Sequence, residues 1–113
     1  MKSKIVALSK NEEFRNLLKK KSISNKYVTI FFGRLEKKNN RKLNISFSVK
    51  RKIGNAVQRN KIKRRLRNIM NDAIKKIPLN FNFSYLVIAK STMLNNDYTN
   101  IKETLFQELN KIK

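Results

Sequence analysis

From Lys37 to Asn71 the chain has no aspartate or glutamate, yet this window holds 13 of its 28 lysines and arginines. The densest part, "IGNAVQRNKIKRRLR" at residues 53–67, carries six basic side chains. Like charges at this density repel one another, so the fold must hold them together by other means. A helix turns about 100° per residue. Residues 56–74 placed on one put Ile62, Leu66, Ile69 and Ala73 on one side and Asn60, Lys63, Arg64 and Arg67 on the other. Arg59 and Arg65 flank the apolar stripe. The stripe needs a layer of the chain's own structure to cover it. The basic face lacks the acids at i±4 that a merely solvated helix would use. A solvated charged face is the plain alternative, and the complete exclusion of acids argues against it.

The flanking segments supply that layer. Ser9-Lys10-Asn11-Glu12 fits a capping box, opening a helix over about residues 10–20 with Phe14, Leu17 and Leu18 on one stripe. "YVTIFFGRL" at 27–35 is β-branched and aromatic, hence a strand. "EKKNN" is a turn, and "KLNISFSV" at 42–49 alternates Leu43, Ile45, Phe47 and Val49 on one face. These two strands are expected to form a hairpin. After Gly54-Asn55 the long helix runs to about Lys76, ended by Pro78. "FSYLVIA" at 83–89 is a third strand. Asn95, Asn96 and Asp97 offer N-caps for a last helix with Ile101, Leu105, Phe106 and Leu109 as its stripe. The expected fold is α+β: an αββαβα-order sandwich of a small, mainly antiparallel sheet with three helices, in one domain over 1–113.

The totals narrow the function. The formal net charge of +21 points to a dense polyanion, either nucleic acid or an anionic membrane. Because the chain is also rich in Asn and Ile, arginine clustering says more than the lysine total. There is no cysteine and no histidine, which removes thiolate metal sites and the commonest general base. The seven acids are scattered: Glu12 and Glu13 point to different sides of a helix, and Glu12 and Asp97 read as caps. No catalytic residue is expected in this chain. No stretch approaches a membrane span, and the apolar run Ile5 to Leu8 is too short for a signal peptide. The expected setting is cytoplasmic, with no membrane and no protein partner.

The stretch "SVKRKIGNAVQRNKIKRRLR" resembles the signature of the bacterial ribonuclease P protein subunit, the "RNR" motif. Here it reads Lys52-Ile53-Gly54-Asn55-Ala56-Val57-Gln58-Arg59-Asn60-Lys61-Ile62-Lys63-Arg64. "LSKNEEF" at 8–14 is similar to the family's opening helix and "SYLVIAK" at 84–90 to its last strand, so the resemblance spans essentially the whole chain. It implies a subunit of an endoribonuclease whose catalytic RNA removes the 5′ leader of precursor tRNA, using magnesium bound mainly by that RNA. It also implies a left-handed βαβ crossover, against the usual rule.

The resemblance assigns catalytic-RNA contacts to Lys52, Asn55, Arg59, Asn60, Lys61, Lys63, Arg64 and Arg67. It places the leader in a groove between sheet and first helix, formed by Phe14, Leu18, Ile30 and Phe32 with Lys50 and Arg51 at the rim. Spacing alone reads Phe14 and Leu18 equally well as a core pair. Strand alternation leaves open which face of 27–32 meets RNA. Three positions depart from the family: Lys61 stands for the motif's third arginine, Leu18 and Ile30 stand where relatives often have aromatics, and Ser46 stands where they often have glycine. Two other readings fit the composition: a structural RNA-binding protein such as a ribosomal one, and a DNA binder using the 56–74 helix in a major groove.

Overall fold

The computed structural model describes residues 5–6, 11–34, 43–79, 82–94 and 97–112. The Ser9 cap, the "EKKNN" turn and the Asn95 and Asn96 caps lie outside these residues. In chain order the elements are β1 (Ile5–Val6), α1 (Asn11–Leu18), β2 (Lys21–Ser24), β3 (Val28–Gly33), β4 (Leu43–Ser48), α2 (Ala56–Lys76), β5 (Ser84–Ala89) and α3 (Tyr98–Asn110). Short 3-10 turns at Arg51–Ile53 and Ser91–Met93 follow β4 and β5. The α+β class is the one expected, with three helices on a mixed sheet of order β1-β4-β5-β3-β2.

The expected hairpin of β3 with β4 does not form. β5 lies between them, antiparallel to β3 and parallel to β4. The alternating 43–48 run satisfies a parallel neighbour as well as an antiparallel one, so its pattern carried no information about its partner. β4, α2 and β5 thereby form a βαβ unit. The true partner in the β3 hairpin is β2, whose Lys21–Ser24 has a single apolar residue, Ile23. The turn between them is built by Asn25: its Oδ1 accepts from the amides of Tyr27 (2.8 Å) and Val28 (2.9 Å). That is the local chemistry that makes asparagine a turn residue.

The pairing register divides the sheet into two faces. Ile45, Phe47, Tyr85, Val87, Val28, Ile30 and Phe32 share one face, and the main core lies between it and helices α2 and α3. α2 inserts Ile62, Leu66, Ile69, Met70 and Ala73 there, all buried. α3 adds Ile101, Leu105 and Leu109. Truncating a buried Leu66 or Ile69 to alanine typically costs about 2–5 kcal/mol, a large part of a small domain's stability. The opposite face carries Phe31, Leu86 and Ile88, and α1 covers part of it through Leu17 and Phe14.

Asp72, the first acid after the carboxylate-free window, ties α2 to α3: Lys102 Nζ donates to its Oδ2 at 2.6 Å. This hydrogen bond is the main reason the Asp72 carboxyl sits below its ordinary 3.8, and it raises the Lys102 ammonium above 10.5. The depressed carboxyl contributes stability above pH 3.8, lost as pH falls through the folded value; the raised ammonium contributes below pH 10.5, lost as pH rises through its own. Asp72→Asn is therefore expected to lower the urea midpoint at neutral pH. It should also flatten the fall of that midpoint with acid below pH 3.8.

Candidate nucleic-acid interface

The interface begins where β4 ends. Lys50, Arg51 and Lys52 lie on the turn into α2 and are exposed, while Ile53 at the end of that turn is buried in the core. One apolar anchor thus turns three consecutive cations outward. The helix then starts with a reciprocal cap. Asn55 Oδ1 accepts from Gln58 N, and Gln58 Oε1 accepts from Asn55 N, each at 2.9 Å. Gly54 is extended, so its backbone conformation does not require glycine. Its need is space: an added Cβ would press on Gln58 Oε1 and lie 3.1 Å from that residue's Cβ and Cδ. The room beside Gly54 is filled by the Gln58 side chain. Likewise the Asn55 oxygen is committed to the helix cap.

Along α2 the expected division of faces is realised. Asn60, Lys61, Lys63, Arg64 and Arg67 are exposed, and Arg59 and Arg65 are half-buried beside the apolar stripe. The ion pairs among the described residues are Lys102–Asp72 and Lys111–Glu108, and neither involves a cation of residues 50–67. Arg59 Nε is buried without a hydrogen-bond partner. The first turn of α2 contains no acid, so the positive end of the helix dipole adds to the side-chain charge. Val57, an apolar side chain 78% exposed, stands in the same turn. Its place in the motif was legible, but its exposure was not, because the period places it away from the stripe without saying what it meets.

The predicted leader residues separate onto the two faces of the sheet. Ile30 has no exposed surface and belongs to the main core; Phe32 points the same way, 5.8 Å from the Phe83 ring. Neither can line a groove under α1. On the α1 side stand Phe14, half-buried, and Leu18, 48% exposed. The residue the sequence reading missed is Phe31, half-buried against the Leu17–Leu86 contact, with Thr29, Ile88 and Ser48 half-buried on the same face. The signal was the Phe31-Phe32 doublet: on a strand two adjacent aromatics must face opposite ways, and only the position of the helices decides which one enters the core. Ser46 is buried on the α1 side, paired with Leu86. Lys50 and Arg51 lie beyond the end of β4 and are exposed.

No group of three or more Asp, Glu, His or Cys able to hold a metal occurs among the described residues.

Fold and charge together define a small α+β protein with a row of exposed cations that no ion pair among the described residues neutralises. The ribonuclease P family model matches residues 3–113. The chain belongs to the ribonuclease P protein family. It is 34% identical to the ribonuclease P protein component of Mesoplasma florum over 113 residues, spanning 99% of this chain and 94% of that one. It is 33% identical to that of Carboxydothermus hydrogenoformans over 110 residues, spanning 94% and 90%. Among solved structures, the ribonuclease P protein of Thermotoga maritima is similar with a TM-score of 0.80 at 26% identity, covering 96% of this chain and 98% of that one.

Gly54→Ala is expected to lower stability by about 1 kcal/mol, the usual value of an N-cap, by displacing Gln58 from the box. Urea unfolding of Gly54→Ala, Gln58→Ala and the double variant checks this. The double should be no worse than either single, because both remove the same reciprocal bond.

Proposed function

We propose that this chain, as a ribonuclease P protein component, binds two RNAs from opposite faces of one sheet. The outward face of α2 and the Lys50–Lys52 turn grip the catalytic RNA subunit. The α1 side of the sheet holds the 5′ leader of precursor tRNA, so that the RNA-catalysed, magnesium-dependent cut falls at the mature 5′ end. The protein contributes position and charge; the hydrolytic chemistry belongs to the RNA and the metal ions it binds. The chain works as one RNA-binding domain in the cytoplasm. Among its described residues no helix is long and apolar enough to cross a membrane.

The observation that carries this reading is the unneutralised row of cations on a helix whose other edge is fully buried. Exposed arginines can form two parallel hydrogen bonds to a phosphate, a geometry lysine does not reproduce; Lys61 would therefore act as a point charge. The leader face supports a different kind of contact. Phe31 and Phe14 offer aromatic surface beside small polar side chains, suited to unpaired bases rather than to a duplex. This arrangement favours a ribonuclease P subunit over a purely structural RNA binder, which has no use for a second, single-strand face.

Two sets of variants separate the faces. Arg64→Glu with Arg67→Glu is expected to weaken binding to the catalytic RNA and to reduce the slope of log affinity against log salt by about 2, one unit per lost phosphate contact. Phe31→Ala should leave that binding intact. It should lower discrimination of precursor over mature tRNA by roughly fivefold to a hundredfold, the equivalent of about 1–3 kcal/mol for a lost stacked base. Phe32→Leu, on the core side, should change neither. Filter binding with both RNAs and cleavage by the reconstituted holoenzyme read these effects. Loss of catalytic-RNA binding in Phe31→Ala, or an unaltered preference for precursor, would overturn the assignment of faces.

A further inference from the structure

A second concentration of charge lies away from α2. Arg15, Lys19, Lys20, Lys21 and Arg34 are all exposed and form no ion pair among the described residues. They meet at one end of the sheet. Lys19 and Lys20 close α1 into β2, and Lys21 pairs with Phe32, so Arg34 follows β3 at the same end. Arg15 stands one turn earlier on α1. The α1 acids, Glu12 and Glu13, occupy the helix's other end.

Lys20 links this cluster to the leader face. Its stem crosses Gly33, where a Cβ would lie 2.9 Å from its Cγ and Cδ. Gly33 pairs with Ser84 and belongs to the same face as Phe31 and Thr29. Along β3 that face is half-open at Thr29, Phe31 and Gly33 in succession. A strip about 14 Å long therefore runs beside α1. It starts at the end where Lys50 and Arg51 stand, beyond β4, and finishes under Lys20.

Two structural duties could account for some of these lysines. Cations complement the C-terminal end of a helix, and a lysine on an edge strand discourages pairing with other chains. Arg15, in the last turn of α1, shares the first duty; neither duty turns a lysine stem back across the open face, and neither calls on Arg34.

We infer that this cluster is a second phosphate-binding site, taking the single-stranded RNA of the leader's upstream portion as it leaves the aromatic strip. The inference rests on the leader reading above and extends it. Leader nucleotides near the cleavage site meet Phe31 and Phe14; those farther toward the 5′ end meet the Lys19–Lys21 cluster. The partner is a flexible single strand, because the aromatic strip that feeds the cluster suits unpaired bases.

The test uses holoenzyme reconstituted with its catalytic RNA and two precursor tRNAs, with leaders of about two and about ten nucleotides, the first shorter than a typical single-strand site and the second long enough to fill one. The variant is Lys19→Gln, Lys20→Gln, Lys21→Gln. It is expected to bind the short-leader precursor within twofold of the parent and the long-leader precursor about tenfold more weakly, with the salt slope for the long leader reduced by about 2. Equal loss on both leaders, no loss on either, or loss of affinity for the catalytic RNA alone would overturn the proposal. A parent holoenzyme that shows no preference for precursor over mature tRNA would instead undo the leader reading itself. Circular dichroism and urea unfolding of the free variant accompany these measurements. The structural duties alone would lower the urea midpoint or promote association, with no dependence on leader length.

Discussion

The structure depends on one contact: the apolar edge of α2 against the sheet. Ile62, Leu66, Ile69, Met70 and Ala73 leave water together, and this burial must outweigh the mutual repulsion of the cations on the far side. The local sequence offers no electrostatic relief, since the first acid on the helix is Asp72 and its carboxylate is taken by Lys102 from α3. The repulsion is therefore left for an external polyanion to neutralise. Binding anything that engages only the folded state adds to stability. In this molecule, binding a polyanion also relieves the repulsion among the α2 cations. Function and stability are coupled through the same side chains.

The sheet gives that coupling a direction. With α2 and α3 on one face and α1 on the other, it separates two surfaces of different chemistry. One is a row of exposed charge along a helix whose other edge is buried. The other is a partly open face where aromatic and small polar side chains alternate. The turn from Lys50 to Lys52, held in place by buried Ile53, follows β4 directly and leads into α2. A ligand on one surface and a ligand on the other can thus be registered through a short, anchored piece of backbone rather than through movement of the core.

Much of this was legible in the residues. The limits and the buried edge of α2 follow from period, glycine and proline, and Asp97 caps α3 as its position suggests. The alternation of 43–48 identified a strand and its core face. What the residues concealed was relational. A strand pattern names its faces but not its neighbours, so β5 between β3 and β4 could not be seen. β2 was hidden because one isoleucine among polar residues carries almost no periodic signal, although Asn25 marked the turn that follows it. Phe31 and Phe32 show the same limit at the site. Their opposite orientations were certain from strand geometry; which one enters the core depends on α2 and α3 packing on one side, a long-range fact. Ile30 was misplaced with Phe32 for that reason.

The way α2 begins shows how completely the charge pattern is kept. A capping box usually closes with a glutamate, whose carboxylate satisfies the N-cap amide and complements the helix dipole. Here the same two hydrogen bonds are made by Asn55 and Gln58, both neutral. The geometry is retained and the negative charge is absent. A glutamate at residue 58 would lie one residue from Arg59, directly on the surface offered to phosphate, and would compete with it. The neutral cap gives up some favourable interaction with the dipole. In return no acid stands between the Lys50–Lys52 turn, the positive end of the helix and Arg59. Gly54 belongs to this arrangement as well, since only a residue without a side chain leaves room for the glutamine to fold back. A motif that reads as a row of cations is thus also a set of uncharged residues chosen to keep acids away.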